Sequence, residues 1–121
     1  MQKISETELE LMEVIWESNL PITSNELLKS FYDKGKKWKP QTISTFLSRL
    51  VEKNFLLASK NGRSNIYTPC ISKEDYKLFE TQSVLNSIHQ GSVKNMLSAL
   101  YDGDKLSDDD IDELKQWFSE R

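Results

Sequence analysis

A single cysteine, Cys70, leaves no partner for an internal disulfide and fits a reducing compartment. With only one histidine, His89, the chain also lacks the clustered donors of a copper or zinc site. Cys70 reads as a small packed residue in a strand and His89 as a solvated one, so neither a metal nor a cofactor is expected. The four glycines are scattered, which leaves no phosphate-cradling loop. No H-E-x-x-H and no cysteine–histidine pair with a third orienting group occurs, and an enzyme is not expected. Asp108, Asp109 and Asp110 resemble a metal cluster only superficially, since acids of this kind favour the positive end of a helix. No apolar run approaches the ~20 residues that span a bilayer. The first residues, M-Q-K-I-S, carry no apolar signal core, so the expected location is cytoplasmic with no membrane partner.

What is present is a polar chain of 121 residues, 37% hydrophobic and 29% charged, enough for a small domain with an appendage. Its net charge of −3 hides an asymmetry. Residues 1–71 hold ten Lys/Arg against eight Asp/Glu, whereas residues 72–121 hold six against eleven. Between 34 and 67, eight basic residues face one acid, Glu52, a local charge of +7. Local field, not total charge, governs attraction to a polyanion.

That basic stretch contains W-K-P-Q-T-I-S-T-F-L-S-R-L at 38–50. Pro40 suits a first helical turn, where its missing N–H is not needed. Ile43, Phe46, Leu47, Leu50 and Val51 repeat with the spacing of one buried helical stripe. The opposite face carries Gln41, Thr42, Ser44, Thr45, Ser48 and Arg49. A solvated face usually mixes Glu and Lys; short uncharged hydrogen-bonding groups with one arginine suit a surface that approaches bases and phosphates.

Two helices are expected before it. The first spans about 5–19, with Ser5 and Glu8 at capping-box spacing and Leu9, Met12, Ile15 and Trp16 as its buried stripe, Leu11 and Val14 alongside. Leu20-Pro21-Ile22 breaks it and offers a short strand. The second helix is capped by Thr23 or Ser24, packs Leu27, Leu28, Phe31 and Tyr32 inward, and ends at Gly35. After the third helix, residues 55–60 read as a strand, Asn61-Gly62 as a tight turn (a loop extending through Ser64 being the alternative), and 65–71 as the returning strand. Pro69 confines that strand to a sheet edge or ends its ladder. Helix, helix, helix, hairpin is the winged helix-turn-helix layout, with Lys60 and Arg63 on the wing placed to meet phosphate or the minor groove.

Residues 72–121 read as three further helices. Their apolar positions are Tyr76, Phe79, Leu85 and Ile88, then Val93, Met96, Leu97 and Leu100, then Ile111, Leu114, Trp117 and Phe118. Three helices this short cannot bury these faces alone, so a two-fold partner sharing one core is expected. The fold class is therefore mainly α with a small β-hairpin wing. Residues 1–71 form a winged-helix DNA-binding domain and 72–121 a three-helix homodimerisation region.

The chain resembles the BlaI/MecI penicillinase-repressor family of bacterial winged-helix regulators over nearly its whole length. The resemblance rests on T-E-L-E-L-M-E-V-I-W at 7–16, W-K-P-Q-T-I-S-T-F-L-S-R-L-V-E-K at 38–53, and G-S-V…L-S-A-L at 91–100 followed by L-S-D-D-D-I-D-E-L at 106–114. It implies a transcriptional repressor that binds a palindromic double-stranded DNA operator as a homodimer and blocks promoter access. The family's reading helix typically starts S-P-K-T-I-R-T. Pro40, Thr42, Ile43, Thr45 and Arg49 match, while Gln41 and Ser44 stand where Lys and Arg are usual. Lys36, Lys37 and Lys39 are positioned to compensate for the two lost cations.

Within β-lactam-sensing members a site-specific sensor protease relieves repression by cutting between Asn and Phe in the second dimerisation helix. The aligned pair here is Ala99-Leu100, which departs at both residues. Relief by proteolysis or by destabilising the dimerisation region is what the resemblance implies. The copper-responsive branch carries a C-x-C…C-x-C site that this chain lacks.

The expected DNA-binding residues are thus Lys39, Gln41, Thr42, Ser44, Thr45, Arg49, Lys60 and Arg63. Thr42 and Thr45 are expected at base edges, Gln41 at a base or phosphate, and Ser44 and Arg49 at the backbone. The competing reading is a winged-helix protein-interaction module without sequence-specific DNA binding, which shares the hydrophobic pattern but gives no reason for the basic stretch.

Overall fold

A computed structural model describes all residues, 1–121. The elements run α1 (Glu6–Glu17), β1 (Ile22–Thr23), α2 (Ser24–Asp33), α3 (Pro40–Glu52), β2 (Leu56–Asn61), β3 (Ser64–Pro69), α4 (Lys73–His89), α5 (Val93–Asp102) and α6 (Asp108–Ser119). They divide into two compact units, Met1–Phe79 and Glu80–Arg121.

Helix starts and stops in the first unit follow local chemistry. Ser5 caps α1 and Thr23 caps α2, each through a reciprocal capping box with Glu8 and Glu26. Both α2 and α3 end in Schellman turns: Lys36 N–H donates to Phe31 C=O past Gly35 (φ +87°), and Phe55 N–H donates to Leu50 C=O past Asn54 (φ +64°). The second turn drops Phe55, fully buried, straight into the core. That core joins Leu11, Met12 and Ile15 of α1 to Leu27 and Phe31 of α2 and to Ile43, Leu47 and Leu50 of α3.

The sheet has order β1-β3-β2, all antiparallel, with Ile22 opposite Tyr67 and Leu56 opposite Pro69. β3 is therefore central, not an edge. Pro69 is tolerated at the last pair because the next bond to the β2 side is made by Cys70, whose N–H donates to Phe55 C=O at 2.9 Å. The last pair at the other end is Asn61–Ser64, so the turn is Gly62-Arg63, one residue beyond Asn61-Gly62. Gly62 supplies the positive φ (+68°) that a two-residue hairpin turn requires at its first position.

Three packing expectations are corrected. In α1, Leu11, Met12, Val14 and Ile15 are buried as expected, but Leu9 and Trp16 are only half-buried, because α1 buries its face between α2 and the sheet. Tyr32 is exposed rather than packed inward, lying one residue from the helix end. Cys70 lies beyond β3 and is exposed.

The largest difference concerns the end of the first unit. It extends through Phe79, not residue 71. Tyr76, expected at the dimer surface, is only 4% exposed and packs into the first unit's core. Its ring meets those of Phe55, Phe79 and Trp16 at 5.3, 6.0 and 6.3 Å, and its hydroxyl accepts the Ile4 N–H at 3.3 Å. Trp16 donates its indole N–H to Ile71 C=O at 2.8 Å, tying α1 to the segment that leads into α4. The first turn of α4 thus closes the winged-helix core.

Glu8 is the one buried charge, and Lys53 at the end of α3 bridges its two carboxylate oxygens at 2.9 and 3.1 Å. Burial pushes the Glu8 carboxyl up. The Lys53 hydrogen bond, those from the Ser5 backbone and hydroxyl, and the Lys53 charge outweigh it and hold the pKa below the ordinary value of 4.5. A folded-state pKa below the unfolded one stabilises the fold above the unfolded value. That contribution is lost as pH falls through the folded pKa. Glu8→Gln should therefore cost about 1–3 kcal/mol near pH 7. The gap between variant and wild type in urea unfolding should close as pH drops below ~4. A gap independent of pH would show that the carboxylate charge is not what matters.

In the second unit α6 is capped by a box between Ser107 and Asp110, and α5 by Ser92. Neither α5 nor α6 contains a buried residue. Ile88, Val93, Trp117 and Phe118 are all 44% exposed or more.

Candidate nucleic-acid interface

Seen down its axis at 100° per residue, the outer arc of α3 runs from Ser44 through Ser48, Gln41, Glu52 and Thr45 to Arg49 and Thr42, with Glu52 at its C-terminal end. Gln41, Ser44, Thr45, Ser48 and Arg49 are exposed, and Thr42 is half-buried at the margin. The fold holds this arc outward because Ile43, Leu47 and Leu50 on the other side are fully buried. Thr45 Oγ1 donates to Gln41 C=O at 2.9 Å, one turn back. Its proton is therefore engaged, and the hydroxyl offers lone pairs and a methyl group outward, suited to a base amino group or a thymine methyl.

The N-terminus of α3 differs from those of α1, α2 and α6. It has no side-chain cap and no acid in its first turn, and Lys39 occupies the cap position. The positive end of the helix is thus left unneutralised, as phosphate contact requires.

Pairing divides the eight basic residues of 34–67 into two sets. Lys34 lies 3.9 Å from Glu17, Lys36 is paired with Glu10, and Lys53 is paired with Glu8. These three are anchored to α1, which removes Lys36 as a replacement for the cations missing at Gln41 and Ser44. Lys37 lies over the Tyr32 ring at 5.9 Å and Arg49 over the Phe46 ring at 5.5 Å, while Lys39, Lys60 and Arg63 are exposed without a carboxylate partner. The unpaired cations are therefore those flanking the α3 arc and those on the wing. The anchoring of Lys34, Lys36 and Lys53 was not visible in sequence, because their partners lie 17 to 45 residues away.

The expected dimerisation residues divide as well. Tyr76 and Phe79 belong to the first unit. In the second unit, Val93, Leu97, Leu106, Ile111, Leu114 and Phe118 line an apolar groove of about 810 Å³ between α5 and α6. Leu85 and Met96 are half-buried, and Ile88, Leu100 and Trp117 are exposed. Ala99 and Leu100 lie inside α5 on its exposed side, with Leu100 C=O accepting from Lys105 and Leu106 N–H at 2.8 and 3.2 Å. No helix is long and apolar enough to cross a membrane.

Residues 4–120 match the penicillinase repressor family. The penicillinase repressor of Bacillus licheniformis is 39% identical over 118 residues, covering 98% of this chain and 91% of that protein. The methicillin resistance regulatory protein MecI of Staphylococcus aureus (strain N315) is 26% identical over 113 residues, covering 93% and 90%. Among solved structures, the DNA-binding domain of the repressor BlaI superposes with a TM-score of 0.54 at 44% identity, covering 63% of this chain and 94% of that one. The monomeric form of Bacillus licheniformis BlaI in complex with the blaP half-operator superposes with a TM-score of 0.51 at 44% identity, covering 62% and 89%. The chain is a winged helix and belongs to the penicillinase repressor family, a family of transcriptional regulators rather than enzymes.

Proposed function

We propose that this chain is a transcriptional repressor that grips a palindromic operator as a homodimer. The carrying observation is the outer arc of α3, uncharged from Pro40 to Ser48 and flanked by the unpaired cations Lys39 and Arg49, with Lys60 and Arg63 on the wing. The similarity to a repressor solved on a half-operator supports the same use of that arc.

Each protomer lays α3 in a major groove. Gln41 and Thr45 face base edges with Thr42 at the margin, Gln41 having the geometry for bidentate contact to adenine. Arg49, Lys39 and Ser44 meet the backbone, and Lys60 and Arg63 add phosphate contacts from the wing. The α5–α6 groove and the exposed Ile88, Trp117 and Phe118 receive their counterparts from a second copy. The two half-sites then lie ~10 bp apart, centre to centre, or a multiple of it. Bound dimer blocks polymerase by occupying the promoter.

Repression ends when the dimer is lost. Cutting at Ala99-Leu100 would achieve this, and it requires the last turn of α5 to unwind, since the scissile carbonyl, Ala99 C=O, accepts the Gly103 N–H at 3.1 Å. Destabilising the second unit reaches the same end without a cut.

Selection from a random duplex pool with the full chain tests this reading. A motif of two short inverted half-sites is expected. A folded chain that enriches no motif would favour the interaction-module reading instead.

A further inference from the structure

We infer that Phe46 is a positioning residue for Arg49, holding the guanidinium ready for the DNA backbone. This rests on the function proposed above. Phe46 falls at the border between the buried and outer arcs of α3, half-buried, and Arg49 follows it by three residues, the spacing at which helical side chains meet. The guanidinium carbon lies 5.5 Å from the ring centroid, within reach of the negative ring face. Arg49 has no carboxylate partner, in contrast to Lys34, Lys36 and Lys53, so its donors remain available while its carbon is held.

The ring is itself held from behind. Trp38 meets Phe46 edge-to-face at 5.9 Å and 83°, and meets Phe31 at 6.0 Å and 70°. Phe31 is 3% exposed and belongs to the core. The Trp38 indole Nε1 is buried without an acceptor, so these ring contacts rather than a hydrogen bond set the orientation of Trp38. A continuous aromatic ladder thus runs from the core to the one arginine on the reading helix. An arginine pre-ordered in this way loses less rotamer freedom on meeting a phosphate.

A double-mutant cycle on full-length protein, read by binding to the duplex selected from the random pool, tests the assignment. Phe46→Leu keeps an apolar side chain of similar size but removes the ring face. It should weaken binding about two- to five-fold per half-site, hence roughly 4- to 25-fold on a two-fold duplex. The salt dependence should keep its slope, because the number of phosphate contacts is unchanged. In an Arg49→Ala background the same change should be silent, and Phe46→Tyr, which restores the ring, should recover wild-type affinity. An equal loss in both backgrounds would show that Phe46 acts only through packing, and no loss in either would show that it does not act; both overturn the inference. A folded wild-type chain that binds no selected duplex would instead defeat the DNA-binding reading itself.

Discussion

Phe118→Glu should turn a dimer into a monomer at micromolar concentration and lower affinity for a two-fold operator by about 10²- to 10⁴-fold. The size follows from linkage, not from any contact of Phe118 with DNA. When two reading heads are joined, the second binds from an effective concentration set by the connection, and separating them removes that gain. Phe118 suits the experiment because it is 65% exposed within its own protomer. A charge there costs the isolated chain little, whereas in a dimer it is taken out of water among Val93, Leu97, Leu106 and Leu114, at a cost that Lys94 and Lys115 of the same groove only partly offset. Gel filtration and a binding titration check both halves. Val93→Glu, at 54% exposure on the same groove, gives a second variant should the first disturb α6. Unchanged elution for both, with the fold retained, would move the interface elsewhere.

Tyr76→Ala should cost the first unit about 3–5 kcal/mol, enough to unfold a marginal domain. The residue lies in the first helix after the wing, yet its ring fills space between Phe55, Trp16 and Phe79, and its hydroxyl satisfies the Ile4 N–H. Removing it leaves a cavity and an unpaired donor together, and the surrounding rings are too rigid to collapse fully into the gap. Tyr76→Phe separates the two effects, losing only the hydrogen bond at roughly 1 kcal/mol. The same packing predicts that a fragment ending at residue 71 is much less stable than one ending at Phe79. Urea titrations of both variants and both fragments check this. Equal midpoints for the two fragments would return Tyr76 to the second unit.

The contrast between these residues explains what the sequence made legible. Local signals carried the first unit: capping boxes at Ser5 and Thr23, the α3 stripe, and a turn glycine between two strands. Each is written within a few residues, and the structure places each within one residue of its expected position. The reading arc of α3 was legible for the same reason, since Ile43, Leu47 and Leu50 fix which side faces outward. What escaped was non-local. The apolar residues of α4 cannot announce whether Tyr76 packs back on the wing or forward on a partner, because both demand the same apolar residue. β3 became central because β1, only two residues long, pairs with it from the far end of the unit. Neither strand length nor composition signals that pairing. Likewise the basic count over 34–67 overstated the free charge, because α1 supplies Glu8, Glu10 and Glu17 as partners for three of those lysines. Charge clustering along a sequence measures field only after the ion pairs are known.

The central claim is that two copies of this chain bind one two-fold DNA site. Sedimentation velocity of the full chain, alone and with a duplex carrying the selected inverted repeat, tests it most directly. The account predicts a dimer in both samples and a complex of two chains per duplex. A monomer that binds the whole site one chain at a time, without cooperativity, would contradict it.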